Sequence, residues 1–281
     1  MPLIRIPFKG GFNKQITQSE AANQWTDGDF VRFRYGEPEK IGGWQQAVST
    51  TLPGVARASH IWTDRDGTEY IAIGTSKGLF LFYGGGIYDI SPLETAITGL
   101  TFTSTNGSAT VTVNKTSHNL TAGEFVVFSS VTMPGSGTGF TAANFTDNPF
   151  QIITAATNSF TITMPSSESG SGMTAAGSGT VQSYFPVGSA TQTLGFGWGT
   201  GTWNGSTAWG SATSASATSL EPGNWSLDNY GTILIATIKN GGTFEWNPTD
   251  GVTTRATAVT TNPTASVMTI VSDTDRHLIH L

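Results

Sequence analysis

The feature that most constrains this chain is a stretch written twice. Residues 64–82, DRDGTEYIAIGTSKGLFLF, lie without a gap on residues 228–246, DNYGTILIATIKNGGTFEW, 164 places further on. Seven of the 19 positions are identical: Asp64/Asp228, Gly67/Gly231, Thr68/Thr232, Ile71/Ile235, Ala72/Ala236, Gly78/Gly242 and Phe80/Phe244. Each copy reads as a polar turn, an apolar run suited to a strand, a Gly-bearing turn and an aromatic run, so one β-hairpin occurs twice. A recurring hairpin unit in an all-β chain points to a repeat architecture, first of all a β-propeller.

The rest of the composition supports an all-β fold. With 35 Gly among 281 residues and only 11% charged residues, short strands and tight turns are favoured over long helices. Sixteen Phe and eight Trp supply a core, which argues against wholesale disorder. The absence of cysteine excludes disulfides and thiolate metal sites. No apolar run approaches the ~20 residues that cross a bilayer, and no signal-peptide core is read at the N-terminus. Residues 1–95 carry nine of the 13 Lys and Arg against ten acids, and residues 96–281 carry four bases against nine acids. Such a surface does not grip phosphates, which needs clustered cations. A weakly acidic wall does let DNA slide past without sticking.

Four segments follow from these patterns. Residues 1–95 are expected to form N-terminal propeller blades, with strands at about 29–35 and 40–45 joined by the Gly36-Glu37-Pro38-Glu39 turn. Arg32 and Arg34 alternate with Val31, Phe33 and Tyr35 and so share one face. With Lys40 they form either a docking face for an acidic partner or an ordinary solvated face. Asp64-Arg65-Asp66-Gly67 begins like a calcium loop but lacks the later acidic ligands, so it reads as a plain turn.

Residues 96–185 change character and read as a small inserted β-sandwich or barrel. A hairpin is expected around Asn106-Gly107, and a second strand pair, 150–154 with 159–164, around the turn 155–158. The Gly/Ser-rich runs 135–139 and 166–179 read as loops. An insertion of this kind explains the 164-residue spacing of the repeat. Residues 186–222 form a Gly/Trp-rich loop in which Trp198, Trp203 and Trp209 either anchor a partner, stack on sugars or bases, or tuck back onto the body. Residues 223–281 hold the second hairpin, and 273–281 resemble the opening of a third copy. The propeller is therefore expected to be unfinished in this stretch, which is either a fragment or is completed by another chain.

No catalytic constellation is legible, and neither a metal nor a cofactor is expected. His277 and His280 stand three apart, on opposite faces of a strand, and the Gly-Ser-Gly triplets at 170–172 and 177–179 are not nucleophile elbows. No His/carboxylate spacing resembles a zinc site. A glycosidase pair among 19 acids is not marked by context.

Several runs of residues resemble one family. Gly10-Gly11-Phe12-Asn13-Lys14-Gln15, Val31-Arg32-Phe33-Arg34-Tyr35-Gly36, Pro38-Glu39-Lys40-Ile41-Gly42-Gly43-Trp44, Gly54-Val55-Ala56-Arg57-Ala58, Trp225-Ser226-Leu227-Asp228-Asn229-Tyr230-Gly231 and Asp275-Arg276-His277-Leu278 resemble the N-terminal half of the tail nozzle, or tail-tube hub, proteins of short-tailed bacteriophages. That family also includes the packaged-DNA stabilisation proteins. The resemblance covers most of the chain outside the insert. It implies a non-enzymatic propeller subunit of a hexameric virion tail ring, made in the host bacterial cytoplasm. It would sit below the portal and adaptor, touch DNA transiently in the lumen, and help retain and then eject the genome. The alternative is a host-surface glycan-binding module using the three Trp, with a glycosidase third.

Overall fold

The computed structural model describes residues 9–43, 45–146, 148–188, 221–272 and 274–281. It is almost entirely β, and the chain divides into two compact units, Met1–Ser49 and Thr50–Leu281. Among the described residues no helix is long and apolar enough to cross a membrane.

In the first unit, β1 (Lys9–Phe12) runs parallel to β2 (Gln24–Trp25), and β3 (Val31–Arg34) forms a hairpin with β4 (Glu37–Lys40). Phe12, Trp25 and Phe33 touch, but none of the unit's described residues is fully buried. The expected strand at 40–45 is corrected here. The turn is Tyr35-Gly36, both at positive φ (51° and 84°), so Glu37-Pro38-Glu39-Lys40 is the second strand and not the turn. Two consecutive left-handed residues close a two-residue hairpin whose twist matches its strands. Pro38 is tolerated because a two-stranded ribbon is all edge.

The second unit opens with a four-stranded antiparallel sheet of β5 (Ala56–Thr63), β6 (Glu69–Thr75), β7 (Leu79–Tyr83) and β8 (Gly86–Asp89). Two further sheets follow in the chain. β14 (Thr154–Ala156), β15 (Ser159–Thr163), β11 (Thr110–Asn114), β10 (Thr101–Thr105) and β16 (Gly172–Ala176) form one. β13 (Phe150–Gln151), β12 (Phe125–Thr132), β17 (Ser178–Ser183) and β9 (Ile97–Thr98) form the other. Between them lies a core of Phe102, Phe128, Phe145, Phe150 and Phe160 with aliphatic neighbours; Phe145 comes from the short helix α1 (Ala142–Thr146). Alternation of Phe102 with Thr103, and of Val111 with Thr112, turns one side of each strand inward. Two local expectations fail here. The run 150–154 is shared between the sheets, with Phe150–Gln151 pairing β12 and Thr154–Ala156 pairing β15. Residues 172–176 of the supposed 166–179 loop are a strand on β10, admitted by the positive φ of Gly172 and Gly177 at its ends.

The chain then returns to the first sheet. β18 (Trp225–Tyr230), β19 (Ile233–Ile238), β20 (Thr243–Trp246) and β21 (Thr257–Ala258) make a second four-stranded sheet, and β22 (Thr269–Val271) with β23 (Leu278–His280) a two-stranded third. The first and second sheets share one core: Trp62, Tyr70, Ala72, Leu79 and Leu81 from one side, and Trp225, Leu234, Ala236, Phe244 and Trp246 from the other. The third sheet lies on the opposite face of the second through hydroxyls. Ser226 Oγ donates to Thr269 O, Thr237 and Thr269 hydroxyls bond at 2.7 Å, and Asp228 accepts from Val271 N–H. The sheets therefore stack in order, first on second on third. The described residues do not form a closed propeller.

The two copies of the repeat are the second and third strands of the first two sheets, with a slip. Ala72 and Ala236 coincide in sequence, yet both point into the same core, one from each side. In a stack that runs one way, matching faces must look the same way, so the ungapped superposition is one residue out of face in β6 and β19. The turn holds the difference. Thr75 N–H bonds Gly78 O in the first sheet, whereas Ile238 N–H bonds Gly242 O in the second, one residue further along. Such a slip moves a strand's whole set to the other side.

The contact between these sheets is tightest at Gly74. A Cβ there would lie 2.6 Å from the Trp225 ring, whose indole N–H donates to Thr75 O at 2.9 Å. Trp62 reciprocates, donating to Thr232 O at 3.0 Å. Gly74→Ala is expected to cost about 1–3 kcal/mol through overpacking, and Trp225→Ala about 3–5 kcal/mol through the cavity it leaves. Urea unfolding checks both, and losses under about 0.5 kcal/mol, the scale of an ordinary surface substitution, would show that the sheets are not joined there.

Candidate functional site

The basic hairpin is largely neutralised from within. Arg32 and Arg34 share the outward face of β3, and the register sets Arg32 opposite Glu39 and Arg34 opposite Glu37. Arg32 Nε reaches Glu39 at 3.0 Å, and the Arg34 guanidinium lies 5.5 Å from the ring of Tyr35 at the exposed tip. Lys40 stands at the end of β4, opposite Val31, and is exposed. The three cations occupy one small hairpin, but acids of the next strand interleave with them. Trp198, Trp203 and Trp209 lie outside the described residues.

A cleft of about 270 Å³ opens between the first sheet and the sandwich, lined by Ser76, Lys77, Thr121–Phe125 and Tyr184–Gly188. Its charged side chains are spent on neighbours. Lys77 donates to Gly123 O at 3.0 Å, and Glu124 accepts from the amide and hydroxyl of Thr121. Beside it, three distant segments meet at a partly buried knot. The Arg255 guanidinium bonds Asp89 at 3.0 Å and Ser91 O at 3.0 Å, and lies over the Tyr184 ring at 5.0 Å. Tyr184 donates its hydroxyl to Asp89. Burial, reinforced by the Asp89 carboxylate, pushes the Tyr184 phenol well above its ordinary range. A phenol so held keeps its proton and gives it to Asp89, which suits a clamp and not a base.

Glu168 is the most perturbed acid, and perturbed acids are the usual pointer to chemistry. It is only 2% exposed, and it accepts from Gly139 N–H, Gly170 N–H, Ser104 Oγ and Thr138 Oγ1. Burial alone would raise its pKa; the two amides and two hydroxyls outweigh that and hold it down at about 2. With every lone-pair direction occupied, the Glu168 carboxylate ties its own loop and the loop at Thr138-Gly139 to β10 at one rim of the sandwich and has none left for a substrate.

Two of the histidines are likewise committed. His60 bonds Asn229 at 2.8 Å; His118 is held between Ala156 O and the Leu120 amide. His280 Nδ1 faces the hydroxyls of Thr269 at 3.0 Å and Ser266 at 3.3 Å, but both of those residues are buried, so neither hydroxyl lies open to a substrate. His277 precedes β23 rather than sharing it, so the opposite-face argument does not apply. The Asp64 carboxylate turns onto the Arg65 amide, as a plain turn requires. Among the described residues no group of three His, Asp or Glu could hold a metal ion.

Apolar side chains also lie on the faces of the first and third sheets that are turned away from the second. On the first sheet, Ile61, Ile71, Phe82 and Ile87 form one row straight across all four strands, with Ile73 and Phe80 in the next. Ile61 is 65% exposed, Ile71, Ile73, Phe82 and Ile87 are half-buried, and Phe80 is buried. On the third sheet, Ile270 pairs with Ile279, flanked by Met268 and Leu281, on the face turned away from the second sheet; Ile279 is 46% exposed. The sequence signal for such faces is a strand apolar on both sides, as in Tyr70-Ile71-Ala72-Ile73, rather than an alternating one.

No protein-family model matches the chain, and no curated protein does. Among solved structures it is similar to the phage phi92 endosialidase, at 13% identity and a TM-score of 0.25. The match covers 91% of this chain and 36% of that one, so this chain spans about a third of that protein's length. A likeness of this size carries no argument about fold or activity.

Glu168 makes the sandwich's acid stability testable. Because its folded pKa lies below the ordinary 4.5, its contribution is complete above 4.5 and is lost as pH falls towards about 2. Glu168→Gln, which keeps the hydrogen-bond pattern if the hydroxyls rotate, should flatten the stability loss between those values. Glu168→Ala leaves buried donors unpaired and should cost about 1–3 kcal/mol per donor at neutral pH, the hydroxyls excepted where they re-partner. Chemical denaturation at stepped pH decides it, and wild type and Glu168→Gln falling in parallel would refute the assignment.

Proposed function

We propose that the chain is a structural subunit of a bacteriophage tail, one of six copies in a nozzle ring below the portal and adaptor. Its propeller-type blades would line part of the DNA conduit and help retain the genome until ejection. Support comes from the runs that resemble the nozzle family, which span both units of the chain. The observation that carries the reading is the use made of ionisable groups. Each perturbed one among the described residues — Asp27 with Lys14, Glu221 with Lys239, Glu168, and Tyr184 with Arg255 — is paired with another segment of the same chain, apart from Tyr70, which lies in the core. An enzyme sets such groups towards a substrate; a scaffold spends them on itself. The excess of acids over bases in residues 96–281 suits a wall past which DNA moves without adhering.

Cryo-electron microscopy of the particle carrying this chain tests the proposal. Six copies ringed beneath the portal are expected. Copies confined to a peripheral fibre, together with saturable glycan binding that Trp198→Ala, Trp203→Ala and Trp209→Ala abolish, would replace it with the host-recognition reading. Turnover of a polysaccharide would replace it with a glycosidase.

A further inference from the structure

We propose that the sandwich is a hinged module. It turns on the stacked sheets about a neck at residues 92–94 and 183–185, and Lys77 is the latch that holds the cleft between the two bodies closed. The inference stands apart from the ring reading above, because it concerns a motion within one chain.

The two bodies have separate cores. The sandwich buries Phe102, Phe128, Phe145, Phe150 and Phe160, the first and second sheets bury Trp62, Tyr70, Trp225, Phe244 and Trp246, and no residue belongs to both. Their ladders are separate too, since no strand of the sandwich pairs with a strand of the stacked sheets among the described residues. Bodies without a large shared apolar interface move against each other by default. The neck is what joins them. The chain enters the sandwich through residues 92–94, leaves it through 183–185, and pairs the two crossings side by side. Glu94 N–H donates to Ser183 O at 2.8 Å, and Phe185 N–H to Pro92 O at 3.2 Å. Short connections of this kind absorb a rotation while the bodies they join stay rigid. Tyr184 sits at the pivot. Its N–H extends the sandwich ladder to Phe125 O, whereas its hydroxyl goes to Asp89 of β8 and its ring lies under the Arg255 guanidinium.

Away from the neck, the crossing is made by Lys77, which lines the cleft of about 270 Å³ and donates to Gly123 O at 3.0 Å. Both ends of this bond are mounted on stiff turns. The Thr75 hydroxyl accepts from the Lys77 and Gly78 amides and so fixes the turn between β6 and β7. Gly123, at a φ of 89°, is held by its own N–H to Ile152 O. A bond between two stiff turns has little slack, so breaking it frees the sandwich as a body instead of loosening one side chain. One ammonium on one carbonyl opens far more readily than a neck that carries paired backbone and the Asp89–Tyr184–Arg255 group. The cleft then widens as the sandwich turns, and its half-buried walls Phe125 and Phe185 gain exposure.

The chain has no cysteine, so a pair of spin labels can be placed without background. Arg65→Cys on the first sheet and Thr163→Cys on the sandwich are both at exposed positions, and double electron–electron resonance on the full chain reads the distance between them. With Lys77 intact, one narrow distribution is expected. Lys77→Met keeps the stem and removes the charged hydrogen bond, which should raise the ratio of open to closed molecules about tenfold or more and add a second, broader population. Lys77→Arg, which still donates, should restore the narrow distribution. Tyr184→Phe alone should leave it narrow, because the latch still closes the cleft; combined with Lys77→Met it should broaden the distribution beyond Lys77→Met alone. Circular dichroism and the melting transition check that each variant folds, and Lys77→Gln, whose arm is shorter, repeats the test should Lys77→Met fail to fold. Distributions that are the same with and without the Lys77 side chain, narrow or broad, overturn the latch. Tyr184→Phe broad beside Lys77→Met narrow overturns it too, since closure would then reside at the neck.

Discussion

The fold of the second unit hangs on two tryptophans that cross between sheets in opposite directions. Trp225, on β18, lays its ring on Gly74 and gives its indole N–H to Thr75 O of the first sheet. Trp62, on β5, gives its own to Thr232 O of the second. Each buries a large apolar surface and still satisfies its one donor, which is what allows a Trp to sit in a core. The carbonyls they reach lie at or just outside the ends of β6 and β19, where ladder bonds run out. Apolar packing and backbone satisfaction are thereby achieved by the same two side chains, and the 164-residue separation of the two sheets in sequence is closed at both ends.

Around that joint, the molecule uses different chemistry at each contact. First and second sheets meet through aromatic rings, with Trp246 set edge-on to Trp62 and Tyr70. Second and third meet through a small hydroxyl network of Thr237, Thr243, Thr269 and Ser226. The sandwich is fastened back to the sheets by the Asp89–Tyr184–Arg255 knot. Hydrophobic area stabilises more per residue than satisfied hydroxyls, whose net gain over water is small. The third sheet is therefore the most weakly held of the stack.

Much of this was legible in the sequence, and the failures have physical causes. The hairpin repeat and the all-β class were readable because apolar runs bounded by Gly-bearing turns leave few alternatives. The register was not. An ungapped comparison cannot see that the Lys239-Asn240-Gly241 turn spends one residue more than its counterpart, and one residue reverses every side chain of a strand. The Tyr35-Gly36 turn was misplaced because Pro38 looked like a turn residue, and an aromatic at positive φ gives no sequence signal. Residues 172–176 were hidden by their Gly and Ser neighbours, although Met173 is buried against the sandwich core. Glu168 did leave a trace, as a lone acid in Ser166-Ser167-Glu168-Ser169-Gly170, a run whose amides need an acceptor. The knot of Asp89, Tyr184 and Arg255 left none, since its members stand 95 and 71 residues apart and meet only after folding.

The central claim is that the tryptophan-bridged pair of sheets is one cooperative unit on which the third sheet rides. Native-state hydrogen exchange, read amide by amide, tests it most directly. The β6 and β19 amides should exchange last and with a common opening free energy, and the β22 and β23 amides through a smaller, separate opening. Independent exchange of β6 and β19, or a third sheet protected as strongly as they are, would contradict it.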